Sequence, residues 1–178
     1  TLPGCGSDPE PAAQAGTPEI SNPLETASPQ PDPMLLAVQE SDIERLDALY
    51  EEGRAVDSLD TDGLTLLHHA IVAQFPLSVK WLLDHGANPD GSPGLAQPPL
   101  PLAVELAKDV PRETVQNSDA FAIMRLLIES GADPLENRNG HLSAIQRAMD
   151  IRCASCITLM RQAYLSRGAS LATFSKIQ

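Results

Sequence analysis

The sequence is poor in aromatic residues, which make up only 3% of its 178 residues. Apolar residues nevertheless amount to 42%, so a core would consist of Leu, Ala, Val and Ile, side chains that suit small and closely packed helices. A chain of this length can form one domain with a buried core. No stretch of it approaches the ~18 consecutive apolar residues of a membrane-spanning helix.

Basic residues are also scarce, since 12 Lys and Arg stand against 24 Asp and Glu and give a formal net charge of −12. Binding to nucleic acid requires clustered Lys and Arg side chains, so we expect no nucleic-acid partner. A partner protein with a basic surface is a better match for this negative charge. The alternative is that the charge only keeps the protein soluble.

Motifs for catalysis or metal binding are missing as well. There is no Gly-rich phosphate loop, no serine nucleophile elbow and no His-Glu-x-x-His. His68 and His69 are adjacent and would point about 100° apart on a helix, which makes them poor joint ligands. Asp57, Asp60 and Asp62 alternate as calcium ligands do, but the Gly and Glu of an EF-hand loop do not follow. We predict a protein that is not an enzyme and holds no metal or cofactor.

The chain has three cysteines, and an odd number leaves one thiol unpaired in an oxidising compartment. Cys5 lies in Leu2-Pro3-Gly4-Cys5, which resembles the lipobox of bacterial lipoproteins, although Pro3 departs from that motif. Because the sequence starts with Thr1, we expect that an upstream signal peptide has been removed. This predicts a periplasmic protein with a lipid anchor on Cys5. The alternative is an unmodified cysteine in a disordered tail.

Residues 6–32 contain six prolines and consist almost entirely of Pro, Ala, Ser, Thr, Gln, Gly, Asp and Glu. This proline density excludes a regular helix and leaves little apolar surface to bury. We therefore predict that residues 1–31 are the lipobox-like start followed by a disordered linker, and that the folded domain spans residues 32–178.

The folded part repeats itself at a regular interval. Ala37, Ala70 and Ala103 are equally spaced, and Gly53 and Gly86 are separated by the same interval. Each Ala lies in a short helical pattern, and a second helical pattern that ends at a Gly follows it. These second patterns are Ile43–Gly53, Leu77–Gly86 and Phe121–Gly131. A period of about 33 residues indicates stacked structural repeats.

The second repeat resembles the ankyrin repeat, with its T-P-L-H-x-A motif and its Gly-Ala-Asp ending. It reads Thr65-Leu66-Leu67-His68-His69-Ala70, in which Leu66 replaces the usual Pro, and then Gly86-Ala87-Asn88-Pro89. The third repeat ends Gly131-Ala132-Asp133-Pro134. The resemblance covers about residues 32–170 and implies an all-α solenoid of about four repeats. Their approximate bounds are 32–60, 61–93, 94–137 and 138–170.

Several motif residues have structural roles in this interpretation. Gly53, Gly86 and Gly131 lie just past a helix, where a left-handed backbone favours Gly. Thr65 and Ser143 precede helices, where a hydroxyl group can cap backbone N–H groups. The resemblance implies that His68 bonds backbone between repeats.

The third and fourth repeats depart from the pattern. The interval from Ala103 to Gly131 is longer than the corresponding interval in the first two repeats. The extra residues fall at 108–119, which are polar and should form a loop between the two helices of the repeat. This insertion either contacts a partner or is tolerated drift. In the fourth repeat, Ser143–Ala148 occupies the position of the motif but contains neither Pro nor His. Terminal repeats often depart from the repeat pattern in this way.

Cys153-Ala154-Ser155-Cys156 is a C-x-x-C motif. One such pair is only half a zinc site, and a thioredoxin-like role would need a βαβ context that the helical pattern excludes. In an exported protein the simplest interpretation is a disulfide between Cys153 and Cys156. In the cytosol both would be reduced thiols.

Ankyrin repeats recognise proteins with the tips between repeats and with the faces of their first helices. The resemblance places eleven candidate binding residues there, and of these Leu64, Leu95 and Leu102 would be exposed anchors or else packing residues between repeats. The eleven are Asp60, Thr61, Asp62, Leu64, His69, Leu95, Gln97, Leu102, Arg138, Asn139 and His141.

An acidic, exported ankyrin protein without catalytic residues is similar to the immunity proteins with which Gram-negative bacteria neutralise type VI phospholipase effectors. The similarity predicts an inhibitor that binds a basic surface of a toxic secreted enzyme, with a membrane contact only through the lipid anchor. One alternative is a periplasmic accessory protein that supports another resident enzyme. The other is a cytosolic ankyrin scaffold, which requires that Leu2–Cys5 is not a functional lipobox.

Overall fold

The computed structural model describes residues 32–91, 97–137 and 140–168. Cys5 and the predicted linker, together with Leu95, Arg138 and Asn139, lie outside the described residues. The described residues form eight α-helices and confirm the predicted all-α fold class. The helices are α1 (Pro33–Glu40), α2 (Ile43–Glu51), α3 (Leu66–Val72), α4 (Pro76–Asp84), α5 (Pro99–Leu106), α6 (Asp119–Glu129), α7 (Ala144–Asp150) and α8 (Ala154–Ser166).

The helices form four antiparallel pairs whose members stack in two rows. The first helices α1, α3, α5 and α7 each contact the next, and so do the second helices α2, α4, α6 and α8. Ala37, Ala70, Ala103 and Ala148 are completely buried in the first row. A small side chain at this position lets neighbouring helices approach closely. None of the helices formed by the described residues is long and apolar enough to cross a membrane.

The helix ends follow from the sequence. Gly53, Gly86 and Gly131 have φ of +86°, +90° and +112°, so the predicted left-handed residues after the second helices are confirmed. Ser143 caps α7, because its Oγ accepts a hydrogen bond from the backbone N–H of Gln146 at 3.4 Å. The Gln146 side chain returns a bond to the backbone N–H of Ser143 at 3.0 Å.

The only tryptophan of the chain joins the first repeat to the second. Trp81 of α4 is 6% exposed, and its Nε1 donates to Oδ1 of Asp47 on α2 at 2.6 Å. Its ring is stacked on His85 at a centroid distance of 3.9 Å and meets the edge of Tyr50 at 5.8 Å. Trp81 thus joins α4 to α2 through both a hydrogen bond and an aromatic contact.

The insertion in the third repeat connects α5 to α6 through residues 107–118, as predicted, but it does not project freely. Val115 within it is only 3% exposed and begins a 3₁₀ turn, Val115–Asn117. The side chain of Gln116 donates to Oγ of Ser155, at the start of α8, at 3.0 Å. The polar composition indicated a loop but gave no sign that the loop folds back on the fourth repeat.

The turns inside the other three repeats share a left-handed residue. Ser41, Gln74 and Arg152 follow the first helices with φ of 55°, 56° and 54°. A residue with a Cβ atom is strained in this conformation by roughly 1–2 kcal/mol, so the fold would accept Gly at all three positions.

We predict that Gln74→Gly raises the free energy of unfolding by about 0.5–1 kcal/mol, because relief of the left-handed strain exceeds the added entropy of the unfolded chain. The matched control is Ala73→Gly, since Ala73 has an ordinary φ of −70°. There the same glycine should cost about 0.5–1 kcal/mol. Urea unfolding followed by circular dichroism measures both variants. Equal destabilisation by the two glycines would contradict the assignment of strain to Gln74.

Candidate functional site

The tip between the first and second repeats is organised by Asp60. Its Oδ1 accepts hydrogen bonds from the backbone N–H groups of Asp62 at 2.9 Å and Leu64 at 2.8 Å. Its Oδ2 accepts from Nε2 of His69 on α3 at 2.6 Å. Partial burial tends to raise the pKa of Asp60, but the bonds from Leu64 and His69 outweigh it, and the pKa lies below its usual value. Asp60 therefore holds the tip together, and the binding role that the sequence predicted for it stays a prediction.

Consecutive tips are joined to each other by a repeated contact. Oδ1 of Asp57 accepts from the backbone N–H of Asn88 in the next tip at 3.2 Å. Oδ1 of Asp90, one repeat after Asp57, accepts from the backbone N–H of Asp133 at 2.9 Å. The same carboxylate-to-backbone bond thus recurs in spite of the insertion, and it fixes the spacing of the tips.

His68 performs the role that the sequence predicted for it. It is 2% exposed, and its Nδ1 accepts from the backbone N–H of Thr65 at 3.2 Å and lies 2.8 Å from the Thr65 hydroxyl. Its Nε2 then carries the proton and donates to the backbone carbonyl of Gln97, in the next repeat, at 2.7 Å. Burial lowers the pKa of His68 and keeps the ring neutral. Gly91 passes beside this ring, where an added Cβ would lie 3.3 Å from Cε1.

The described candidate binding residues differ in their exposure. Thr61 and Asp62 are exposed at the tip, whereas His69, Gln97 and His141 are half-buried. Leu64 and Leu102 are half-buried, and Leu102 packs against the core, which agrees with the alternative that it is a packing residue between repeats. The structure brings Asp60, Thr61, Asp62, Leu64 and His69 together in one tip. The role of these residues in binding stays a prediction.

His69 and Leu102, which the sequence predicted as binding residues, belong to a longer row of side chains along the first helices, and the other members of this row were not predicted. On each first helix, two residues three positions apart share one face, and in the structure none of them is buried. Arg147 on α7 and Glu105 on α5 join two helices of this row through an ion pair of 2.9 Å. The repeat interval, lengthened by the insertion in the third repeat, leads from His69 to the equivalent residues on the other first helices, so the row could have been found from the sequence. This groove row consists of Leu36, Gln39, His69, Val72, Leu102, Glu105, Arg147 and Asp150.

Apolar side chains are exposed on the tips and in the groove row. Val72 is 57% exposed, Leu59 in the first tip is 50% exposed, and Leu142 in the third tip is 37% exposed. We call the tips and the groove row together the tip-groove surface. Isolated exposed apolar residues are ordinary, but these three interrupt a polar surface on the side of the fold where repeats present their tips.

The described residues offer little for chemistry. Within residues 32–91, 97–137 and 140–168, no three His, Cys, Asp or Glu side chains are grouped to hold a metal ion. Asp57 and Asp60, two of the alternating acids of the first tip, are engaged with backbone N–H groups. Cys153 and Cys156 form a disulfide with a Cα–Cα distance of 5.3 Å. Sγ of Cys153 also accepts from the backbone N–H of Cys156 at 3.2 Å, at the start of α8.

Residues 62–92 match the ankyrin-repeat family model. The fold is an ankyrin-repeat solenoid. Two solved ankyrin-repeat domains are similar to it: that of human ASB11, with a TM-score of 0.56 and 21% identity, and that of Bcl-3, a member of the IkappaB family, with a TM-score of 0.57 and 23% identity. The similarity covers 73% of this chain and 53% of the ASB11 chain, and 78% and 57% in the case of Bcl-3. A search of curated proteins found no match to the sequence.

This chain therefore spans little more than half the length of either solved domain. At such identities the similarity establishes the fold alone. Ankyrin repeats are in general modules for protein–protein interaction, and the ankyrin solenoid here accordingly presents the tip-groove surface as its candidate binding site.

We predict that acidification destabilises the domain through His68. Because its pKa is lowered in the folded state, the unfolded chain binds more protons below the ordinary pKa of 6.5. The stability due to neutral His68 is thus complete above that pH and is lost below it, by up to about 1.4 kcal/mol per pH unit. His68→Gln should flatten the dependence of the unfolding free energy on pH between about 5 and 7.5.

The control for this prediction is Ser143→Ala, which changes a buried polar residue that does not titrate. Urea unfolding at several pH values should give the control the same slope as the wild type. A wild-type slope that His68→Gln leaves unchanged would contradict the role of a neutral, buried His68.

Proposed function

We propose that this protein is an exported inhibitor that binds a toxic secreted enzyme with the tip-groove surface, as an immunity protein does for a type VI phospholipase-like effector. The observation that carries the proposal is Val72, an exposed apolar residue in the groove row that the fold does not need. Binding alone can block an enzyme, so the inhibitor requires no chemistry of its own.

Val72 is the last residue of α3, and the residues just before it in the sequence pack into the core. Ala70 and Ile71 are completely buried, whereas Val72 is 57% exposed. His69, one helical turn before it, is tied to the first tip through Asp60. Val72 therefore lies one helical turn after a residue that is bonded to the first tip. An apolar side chain held rigidly among polar neighbours is a favourable anchor, because little conformational entropy is lost on binding.

The charge of the tip-groove surface suits a basic partner. Thr61 and Asp62 are exposed at the first tip, and Asp62 makes no ion pair with any other described residue. The whole chain carries a formal net charge of −12. Such a surface accelerates the approach of a basic protein, and the acceleration falls as salt is added.

The test begins with the genes beside this one, because an immunity protein is expected to neighbour the gene of a phospholipase-like enzyme, and that enzyme would be the partner. The wild-type protein should inhibit it, and Val72→Asp should raise the dissociation rate at least about tenfold, because a carboxylate would be buried without a partner. Leu165→Asp is the matched control, since Leu165 is also exposed, at 40%, but lies on α8 outside the tip-groove surface. Circular dichroism must first show that both variants remain helical.

Two results would contradict the proposal. One is tight binding by both Asp variants, which would place the interface elsewhere on the solenoid. The other is an association rate that does not fall between about 50 and 500 mM salt, where screening should remove electrostatic steering. Absence of any binding to the neighbouring enzyme would remove the immunity role itself.

The proposal includes export and anchoring through Cys5. Its support is the lipobox-like Leu2–Cys5 and the proline-rich composition after it. We predict that the protein, expressed with its natural upstream segment, fractionates with membranes and that Cys5→Ser releases it into the soluble fraction. Ser21→Ala, in the proline-rich segment, controls for a substitution that leaves Cys5 in place. Unlipidated wild-type protein in the cytosol would overturn this part of the proposal.

A further inference from the structure

A cavity of about 380 Å³ lies between the insertion and the start of α8. We propose that it binds a small organic anion, in which a carboxylate or phosphate group is attached to a short apolar body. The cavity is lined by residues 107–112 and 151–155 together with Val115. Its size is at the lower end of the range for small-molecule sites, which is about 300–1,000 Å³.

Apolar side chains form about half of the cavity lining. Val115 is 3% exposed and Cys153, part of the disulfide, is 7% exposed. Val110 and Ile151 are half-buried and pack against the core beside them. These side chains offer a hydrocarbon group a surface that is already shielded from water, so its burial there is favourable.

The rim of the cavity collects cations that have no partner among the described residues. Six of the ten described basic residues are engaged: five in ion pairs with acids, and Arg167 with the backbone carbonyls of Gly131 and Ala132. Of the four others, three line this cavity: Lys108, Arg112 and Arg152.

The fourth described basic residue without such a partner is Arg161 on α8. The cavity lining contains a single acid, Asp109. In a chain with twice as many acids as bases, three unpaired cations beside one acid make a local surplus of positive charge. The guanidinium groups of Arg112 and Arg152 match the geometry of carboxylate and phosphate oxygens.

The insertion creates this cavity. In the first and second repeats the two helices are joined by short turns, Ser41–Asp42 and Ala73–Phe75. In the third repeat the longer connection is held against the fourth repeat by the bond from Gln116 to Ser155. Because the turns and the tips occupy opposite ends of the antiparallel helices, an anion here would not compete with a partner on the tip-groove surface.

Three probes with the same hydrocarbon chain test the site: hexanoate, hexyl phosphate and hexanol. Titration into isotopically labelled, full-length protein should shift the backbone amide signals of residues 107–112, apart from Pro111, and of residues 151–155. We expect dissociation constants on the order of 1 mM for at least one anion, as is usual for so small a ligand, and at least about tenfold weaker binding of hexanol. A comparison of the two anions shows which oxyanion the site prefers.

Arg152→Gln should weaken binding of the anion at least about fivefold. The fold should tolerate this change, because Gln74 occupies the equivalent left-handed position in the second repeat. Arg161→Gln removes the same charge from α8 outside the cavity and should leave binding unchanged. Arg112→Gln, in the exposed part of the insertion, repeats the test if Arg152→Gln proves unfolded by circular dichroism.

The proposal is overturned if neither anion shifts these amide signals at about 50 mM, well above the expected dissociation constant. It is equally overturned if hexanol binds as tightly as the anions, or if Arg161→Gln weakens binding as much as the cavity variants do. Either result would assign the shifts to apolar contact or to net charge alone.

Discussion

The close approach of the first helices at a completely buried Ala in each repeat is the constraint on which the rest of the structure depends. Ala37, Ala70, Ala103 and Ala148 recur at equivalent positions, and a larger side chain there would push neighbouring helices apart in a core that has no room for it. Once this spacing is fixed, the connections between repeats fall at a regular interval. The contacts between tips and the groove row are consequences of that interval.

The acidic residues of this protein serve two distinct purposes, and the net charge does not distinguish them. Asp57, Asp60 and Asp90 accept backbone N–H bonds within and between tips, so their charges stabilise the fold. Asp62 is exposed and makes no such contact through its carboxylate with the described residues. Only acidic residues of the second kind can contact a partner without breaking the hydrogen bonds of the tip. The net charge of −12 can therefore affect binding mainly through them.

Much of the fold could be predicted because the repeat pattern is local. The regular interval between repeats, the Gly residues after the second helices and the polar caps before the first helices are all visible in the sequence. The role of His68 was also accessible, because its slot in the ankyrin motif implies a bond to the next repeat. These features depend on a few neighbouring residues, and local geometry decides them.

The candidate site was less predictable because it depends on contacts between repeats. Position in the motif alone made Asp60 and Leu64 look available, whereas the turn engages the carboxylate of one and partly buries the other. Val72 was missed because it follows the most recognisable residues of the motif and resembles a core residue in type. Exposure at a given position is decided by how far the next helix covers it, and no single repeat contains that information.

The two ends of the helix pairs differ in how far they can change without damage to the solenoid. At the tips, Asp57 accepts a bond from Asn88 and Asp90 accepts one from Asp133, so each of these connections is bonded to the next through a carboxylate. At the turns no carboxylate-to-backbone bond links the described repeats; they are joined there by the bond from Ser78 to the Ser41 hydroxyl at 3.2 Å and by the contact that the insertion makes with α8. The insertion is therefore tolerated at a turn, and its cost in loop closure grows only slowly with length.

Once the insertion folds back, as Val115 and Gln116 show, it encloses a new cavity while the Ala-to-Ala stacking of the first helices stays intact. The end of the solenoid that is not used for tip contacts is thus the end where a second binding site can arise.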